Sequence, residues 1–260
     1  MTVVLDHDTG RVVWCAKGHG KDVLAGFFSL LTAEQRASIE VVTADGARWI
    51  SDAVAEWCPN AERAMDPFHV VGWATDALDE VRKEAWRKAR AEEARAPKRG
   101  PGRPRKGEEP PASAAKAVRG ARYPLLKNPE DLTAPQRETL ARIAREDKAL
   151  YRAYLLKEDL RDVFKSPDAQ TARERLGRWL SRACHSWNGK IKELSKKVRR
   201  HREAIVRAVG LGISNARVEA VNNKIKLTVR MAYGFRNIDN LIALVMLRCS
   251  NLPIELPGRS

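Results

Sequence analysis

The stretch Thr2-Val-Val-Leu-Asp6-His7-Asp-Thr-Gly10-Arg11-Val-Val-Trp-Cys-Ala16 opens the chain with two β-branched runs joined by a turn rich in Asp and Gly. β-Branched residues fit a pleated surface and Asp and Gly supply turn geometry, so the stretch predicts an antiparallel hairpin. Working outward, Lys21 to Leu31 carries apolar residues at helical spacing, and Ser38-Ile-Glu-Val-Val-Thr-Ala44 predicts a short buried strand. Ala47 to Trp57 then predicts a helix and Ala61 to Met65 a further strand. The order β-β-α-β-α-β calls for an α/β fold with one mixed sheet, an antiparallel hairpin leading into parallel crossovers.

From His69 the periodicity turns helical almost to the end. Val70, Trp73, Ala74, Ala77, Leu78, Val81 and Ala85 recur at helix spacing. Residues 95–114 interrupt this pattern with Pro, Gly and basic residues, the composition of an exposed loop. Helices resume with Thr133 ahead of Ala134-Pro135 and with a stripe at Ala153, Leu156, Leu160 and Val163. Asp168 is placed to cap a further stripe of Ala172, Leu176, Trp179, Leu180 and Trp187. One long basic helix is expected over about 190–209, ended by Gly210-Leu-Gly212. A helix from about Asn215 to Arg230, a turn at Tyr233-Gly-Phe-Arg-Asn237 and an apolar helix close the chain.

The 260 residues hold 48 Lys and Arg against 33 Asp and Glu, a formal charge of +15, which points to a polyanionic partner such as nucleic acid. No run approaches the roughly 18 to 20 apolar residues a membrane helix needs, and the opening strand does not read as a secretion signal. A cytoplasmic, nucleoid-associated protein is expected. Cys15, Cys58, Cys184 and Cys249 lack Cys-x-x-Cys spacing and are expected as buried thiols.

Two acids follow strands, where ligands of open α/β sheets gather. Asp45 lies between the predicted strand and the helix at Ala47, and reads equally as a metal donor or a helix cap. Asp66-Pro67 fits an N-cap followed by proline at the first helical position. His69, three residues on, reads as a packed histidine or as a neighbour of a metal site. Glu219, Asn222, Asn223, Lys226 and Arg230 share one face of a predicted helix, with Val218, Val221, Ile225 and Val229 on another. Alone, that face fits an ordinary solvated helix. Carboxylates brought together stay ionised when cations compensate them, and a pair of Mg2+ ions can do so while promoting phosphodiester cleavage. Lys98-Arg99-Gly-Pro-Gly102-Arg103-Pro104-Arg105-Lys106 holds a Gly-Arg-Pro core with basic flanks, which fits either an AT-hook for a narrow minor groove or a solvated basic linker.

Several strings together resemble the DDE transposases of bacterial insertion sequences, specifically the group called ISL-three. They are Val41-Val-Thr-Ala-Asp45-Gly46, Pro59-Asn-Ala61, Asp66-Pro-Phe-His69-Val-Val71, Tyr154-Leu-Leu-Lys157-Glu158, Ser214-Asn-Ala-Arg-Val-Glu219-Ala-Val-Asn222-Asn-Lys-Ile-Lys226 and Arg230-Met-Ala-Tyr233-Gly-Phe235-Arg-Asn237. The resemblance implies an RNase H-like core, whose strand order fits the one above less one strand, interrupted by an all-helical insertion. Residues 1–68 would form the amino-proximal part of the core, 69–212 the insertion with its basic loop, and 213–260 the closing helices carrying Glu219. It implies metal-dependent strand cleavage and strand transfer, with Asp45 and Glu219 as the second and third carboxylates and Mg2+ or Mn2+ as the ion. DNA, both element ends and target, would be the partner, with Lys226 and Arg230 holding phosphates. Asp66 and His69 resemble an accessory motif of mutator-like relatives.

Family members carry a first catalytic aspartate before the hairpin, and this chain does not. Asp6 and Asp8 lie in the predicted turn and do not replace it. The expectation is therefore an amino-terminally truncated, inactive transposase with an open sheet edge, prone to weak folding or aggregation, the two-ion site forming only in a complete enzyme. The alternative is a non-catalytic DNA-binding protein, acting through Arg99, Arg103, Arg105, Lys106 and the basic helices. It would act alone, as a homo-oligomer, or in mixed oligomers that inhibit a full-length transposase.

Overall fold

The computed structural model describes residues 1–44, 46–96, 113–212 and 216–251. The chain divides into two units, Met1–Pro67 with Gly210–Ser260, and Phe68–Val209. The first is α/β and the second, among the described residues, is built of helices.

In the first unit β1 (Thr2–Leu5) and β2 (Val12–Ala16) pair antiparallel, as the hairpin reading requires. The turn holds itself together. The Asp6 carboxylate accepts from the Asp8 amide at 3.0 Å and the Thr9 hydroxyl at 2.5 Å, while Gly10, at φ 72°, supplies a left-handed position. The Thr9 hydroxyl in particular holds the Asp6 carboxyl below its usual range. Side chains of β1 alternate as a strand's must. Val4 packs toward α1 (Lys21–Ser29) and α3 (Arg48–Trp57), in a cluster of Leu24, Phe28, Ala53, Val54 and Cys58. Val3 and Leu5 pack toward α12 (Ala216–Met231) and α13 (Ile238–Cys249), against Val12, Val221, Ile225, Val245 and Cys249.

The second pair of strands, β3 (Val41–Ala44) and β4 (Glu62–Met65), is parallel, linked through α3. The expected single mixed sheet is not what forms. Among the described residues there are two two-stranded sheets, β1 with β2 and β3 with β4. Val4 of β1 and Val42 of β3 reach the same apolar cluster, so the two sheets share a helical layer without a common hydrogen-bond ladder. Between β2 and β3 the chain also forms a short helix, α2 (Ala33–Ala37), opened by a Thr32–Gln35 capping box. Arg36 from this helix donates to the carbonyls of Phe28 and Leu31 at the end of α1 and lies over the Trp57 ring.

The helical unit runs from α4 (Pro67–Arg95) through α5 (Ala114–Gly120), α6 (Arg122–Leu126), α7 (Ala134–Glu146), α8 (Lys148–Val163), α9 (Ala169–Cys184), α10 (Gly189–Arg200) and α11 (Arg202–Gly210). Thr133 opens α7 with a capping box and the Asp168 side chain caps α9. Trp179 on α9 is buried and its indole N–H donates to the Leu156 carbonyl at 2.7 Å, so its one polar atom is satisfied in the core.

Four expectations change here. The basic helix over 190–209 is two helices, α10 and α11, broken at His201, whose ring packs on Trp73 at 5.5 Å. Trp187 does not join the core stripe; α9 ends at Cys184, and Trp187 in the following turn is 97% exposed. His69 is exposed, edge-on to Phe68, not packed in the core. Cys58 and Cys249 are buried, whereas Cys15 and Cys184 are half-buried.

Candidate functional site

Glu219 sits in the first turn of α12, where a negative charge complements the helix dipole. The helix is amphipathic. Val221 and Ile225 are buried, while Glu219, Asn222, Asn223, Lys226 and Arg230 are exposed. The Glu219 carboxylate has no hydrogen-bond or ion-pair partner among the described residues.

Two anchors fix this helix within its unit. At its start, the Arg217 guanidinium donates to the backbone carbonyls of His7 and Asp8 in the hairpin turn, the latter at 2.7 Å. Two residues before Glu219, this ties the first turn of α12 to the turn that holds Asp6 and Asp8. Further along, Thr228 is buried and its hydroxyl donates to the Lys224 carbonyl and accepts from Arg248 of α13, each at 2.8 Å. After α12 the chain reverses through Tyr233 at φ 52° and Gly234 at φ 99°, the Gly234 amide reaching the Val229 carbonyl at 2.9 Å. This left-handed pair satisfies carbonyls at the helix end.

The other predicted residues fall in separate places. β3 ends at Ala44 and α3 begins at Arg48, with Ala47 at its N-cap position and no side-chain cap. Asp45, between them in sequence, lies outside the described residues. So do Arg99, Arg103, Arg105 and Lys106 of the basic loop. Asp66 is 5% exposed, directly after β4 and directly before Pro67, the first residue of α4. That is the position of a helix cap with proline at the next residue. Among the described residues, no group of three or more His, Cys, Asp or Glu side chains is placed to hold a metal ion. No helix of the described residues is long and apolar enough to cross a membrane.

Two features went unread in the sequence. The Arg217 contact spans 209 residues of chain to the turn and leaves no local pattern. The buried Lys157, at 3% exposure, had a signal: it lies on the same helical stripe as Ala153, Leu156 and Leu160.

The chain matches the DDE transposase family ISL3, described as "Transposase", over residues 1–245. It is 49% identical over 261 residues to the transposase for insertion sequence element IS1557 of Mycobacterium tuberculosis, in two strains. That match covers 100% of this chain and 59% of the relative. It is 24% identical over 237 residues to the transposase for insertion sequence element IS1001 of Bordetella parapertussis, covering 91% of this chain and 54% of the relative. The chain thus spans little more than half the length of these relatives. No solved structure matches it. The family match and the full-length identity together identify the chain as a member of the ISL3 family of insertion-sequence DDE transposases.

Proposed function

We propose that the chain is the greater part of a catalytic region that cuts and joins DNA at insertion-sequence ends, with Asp45 and Glu219 as two of its metal-binding carboxylates. The observation that carries this is the 49% identity to an insertion-sequence transposase over the whole chain. Glu219 supports it locally, as an exposed carboxylate with no partner among the described residues, held on a helix fixed at both ends.

Both proposed donors are carboxylates, the hard oxygen ligands that Mg2+ and Mn2+ take, and an unengaged Glu219 fits that role. When bound, such ions let neighbouring carboxylates stay ionised and stabilise charge on phosphate oxygens during strand cleavage. The chain's own contribution is positional. Arg217 fixes where Glu219 emerges, and Lys226 and Arg230, exposed on the same helix, would hold DNA phosphates in register. In this reading residues 1–68 and 213–260 belong to an RNase H-like core and 69–212 to its helical insertion. Asp66 caps α4 and His69 is at most accessory.

In this reading the chain should bind end DNA at low salt. The test is Mn2+ binding to the chain with end DNA, followed by electron paramagnetic resonance. Asp45→Asn and Glu219→Gln should each weaken it while leaving DNA affinity in place. Unchanged Mn2+ binding in both variants would refute the donor assignment, and no DNA binding at low salt would refute the nucleic-acid reading altogether.

A further inference from the structure

Trp187 stands in the turn between α9 and α10 at 97% exposure. Tryptophan is highly buried on average, and a ring at this exposure leaves its flat apolar face open to a ligand. The backbone around it is pinned on both sides. The Ser186 amide donates to the Ala183 carbonyl at 3.2 Å, and the Asn188 amide to the Ser186 hydroxyl at 3.3 Å. Asn188 Oδ1 caps α10 by accepting from the Lys190 amide at 2.8 Å, and its Nδ2 donates to Glu84 Oε2 of α4 at 2.9 Å. The turn is thus clamped to α4 while its aromatic ring points into solvent.

The charge around that ring narrows the partner. Residues 68–209 hold 35 Lys and Arg against 20 Asp and Glu, whereas the rest of the chain holds 13 against 13. The whole surplus of +15 belongs to the helical unit. Near the turn, Arg87 and Lys88 lie one helical turn beyond Glu84 and are exposed, and Lys192 is exposed on α10. A second copy of so basic a unit would meet like charge here. An exposed ring on a unit of net positive charge instead fits an unpaired nucleobase, the ring stacking on its face while exposed cations of α4 and α10 hold adjacent phosphates. Paired duplex bases cover each other's faces and leave no surface for the ring.

We propose that Trp187 is a stacking site for an unpaired DNA base, selecting DNA whose strands have been opened. This rests on the reading that DNA is the partner. The experiment is fluorescence anisotropy of the full chain with a labelled blunt duplex and with the same duplex carrying a short single-stranded tail. Wild type should prefer the tailed DNA. Trp187→Ala should lose that preference, weakening tailed-DNA binding by about 5- to 150-fold, while Trp187→Tyr keeps most of it and blunt-duplex affinity stays the same. A preference that survives Trp187→Ala overturns the proposal, as does an equal loss on both DNAs. So would loss of self-association in sedimentation with the tail preference intact, which would assign the ring to a protein contact. If wild type binds duplex with no preference for a tail, this proposal fails and the proposed function stands. If it binds no DNA at low salt, both fail.

Discussion

Lys157 keeps an ammonium in the interior of the helical unit, and its surroundings explain how. Its Nζ donates to the carbonyls of Leu125 at 3.0 Å and Lys127 at 3.4 Å and pairs with Glu158 at 2.5 Å. Burial still pulls its pKa below the ordinary lysine value, so the partners only partly offset desolvation. Glu158 in turn faces Arg161, which also holds Glu130. The string Tyr154-Leu-Leu-Lys157-Glu158 therefore has a structural role: it ties α8 to the end of α6. Lys157→Met keeps the volume but leaves Glu158 and two carbonyls without the ammonium. Glu158 keeps Arg161, so the main loss is the carbonyls left unsatisfied, about 1 to 3 kcal/mol. The expected result is a drop of that size in unfolding free energy, read as a lower urea midpoint at unchanged slope. A drop below about 1 kcal/mol would mean that the site relaxes or hydrates and leaves no carbonyl unsatisfied.

Elements were legible where their signals are local. The hairpin declared itself through β-branched runs and the Asp6 to Gly10 turn, and α9 through Asp168. What periodicity does not encode is partnership. A strand's alternation marks its two faces and not its neighbours, so the pairing of β3 with β4 apart from β1 and β2 could not be read. The break at His201 has no Gly or Pro to announce it, and its ring contact with Trp73 comes from another helix. Trp187 continued the helical spacing of α9 on paper, yet the Ser186-Trp-Asn188 turn and the Asn188 cap had already started a new helix. At the candidate site, the exposed face of α12 was legible from spacing, but the choice of Asp45 and Glu219 as donors came from matching strings. The Arg217 anchor was invisible for the same reason as the sheet pairing. It joins α12 to the hairpin turn, and Arg217→Ala should cost about 1 to 2 kcal/mol, the range for hydrogen bonds from a charged donor, discounted for exposure. Hydrogen exchange at the first turn of α12 should speed up while α13 keeps its protection. Unchanged exchange at that turn would show that the guanidinium does not hold it.

For the whole molecule, the proposed function makes the uneven charge predict which unit would meet DNA. The α/β unit is formally neutral and the helical unit carries +15. α10 shows how such a surface is built, with Ile191, Leu194 and Val198 buried and Lys192, Lys196, Arg199 and Arg200 exposed. Its outer face is therefore almost wholly basic, and phosphates bound there displace condensed counterions. Affinity for duplex DNA should then fall linearly on a log–log plot against salt, with a slope of about −0.9 per phosphate neutralised. Lys196→Ala with Arg199→Ala should make that slope shallower by about 1.8 if each residue holds one phosphate. Lys224→Ala, also exposed but on α12 of the neutral unit, should change the slope by less than a single contact on α10 does. Both salt titrations use the same DNA and the full chain, so a difference between them reports where the backbone runs. An unchanged slope in the α10 double variant, with Lys224→Ala giving the larger effect, would move the DNA path off the helical unit and onto α12.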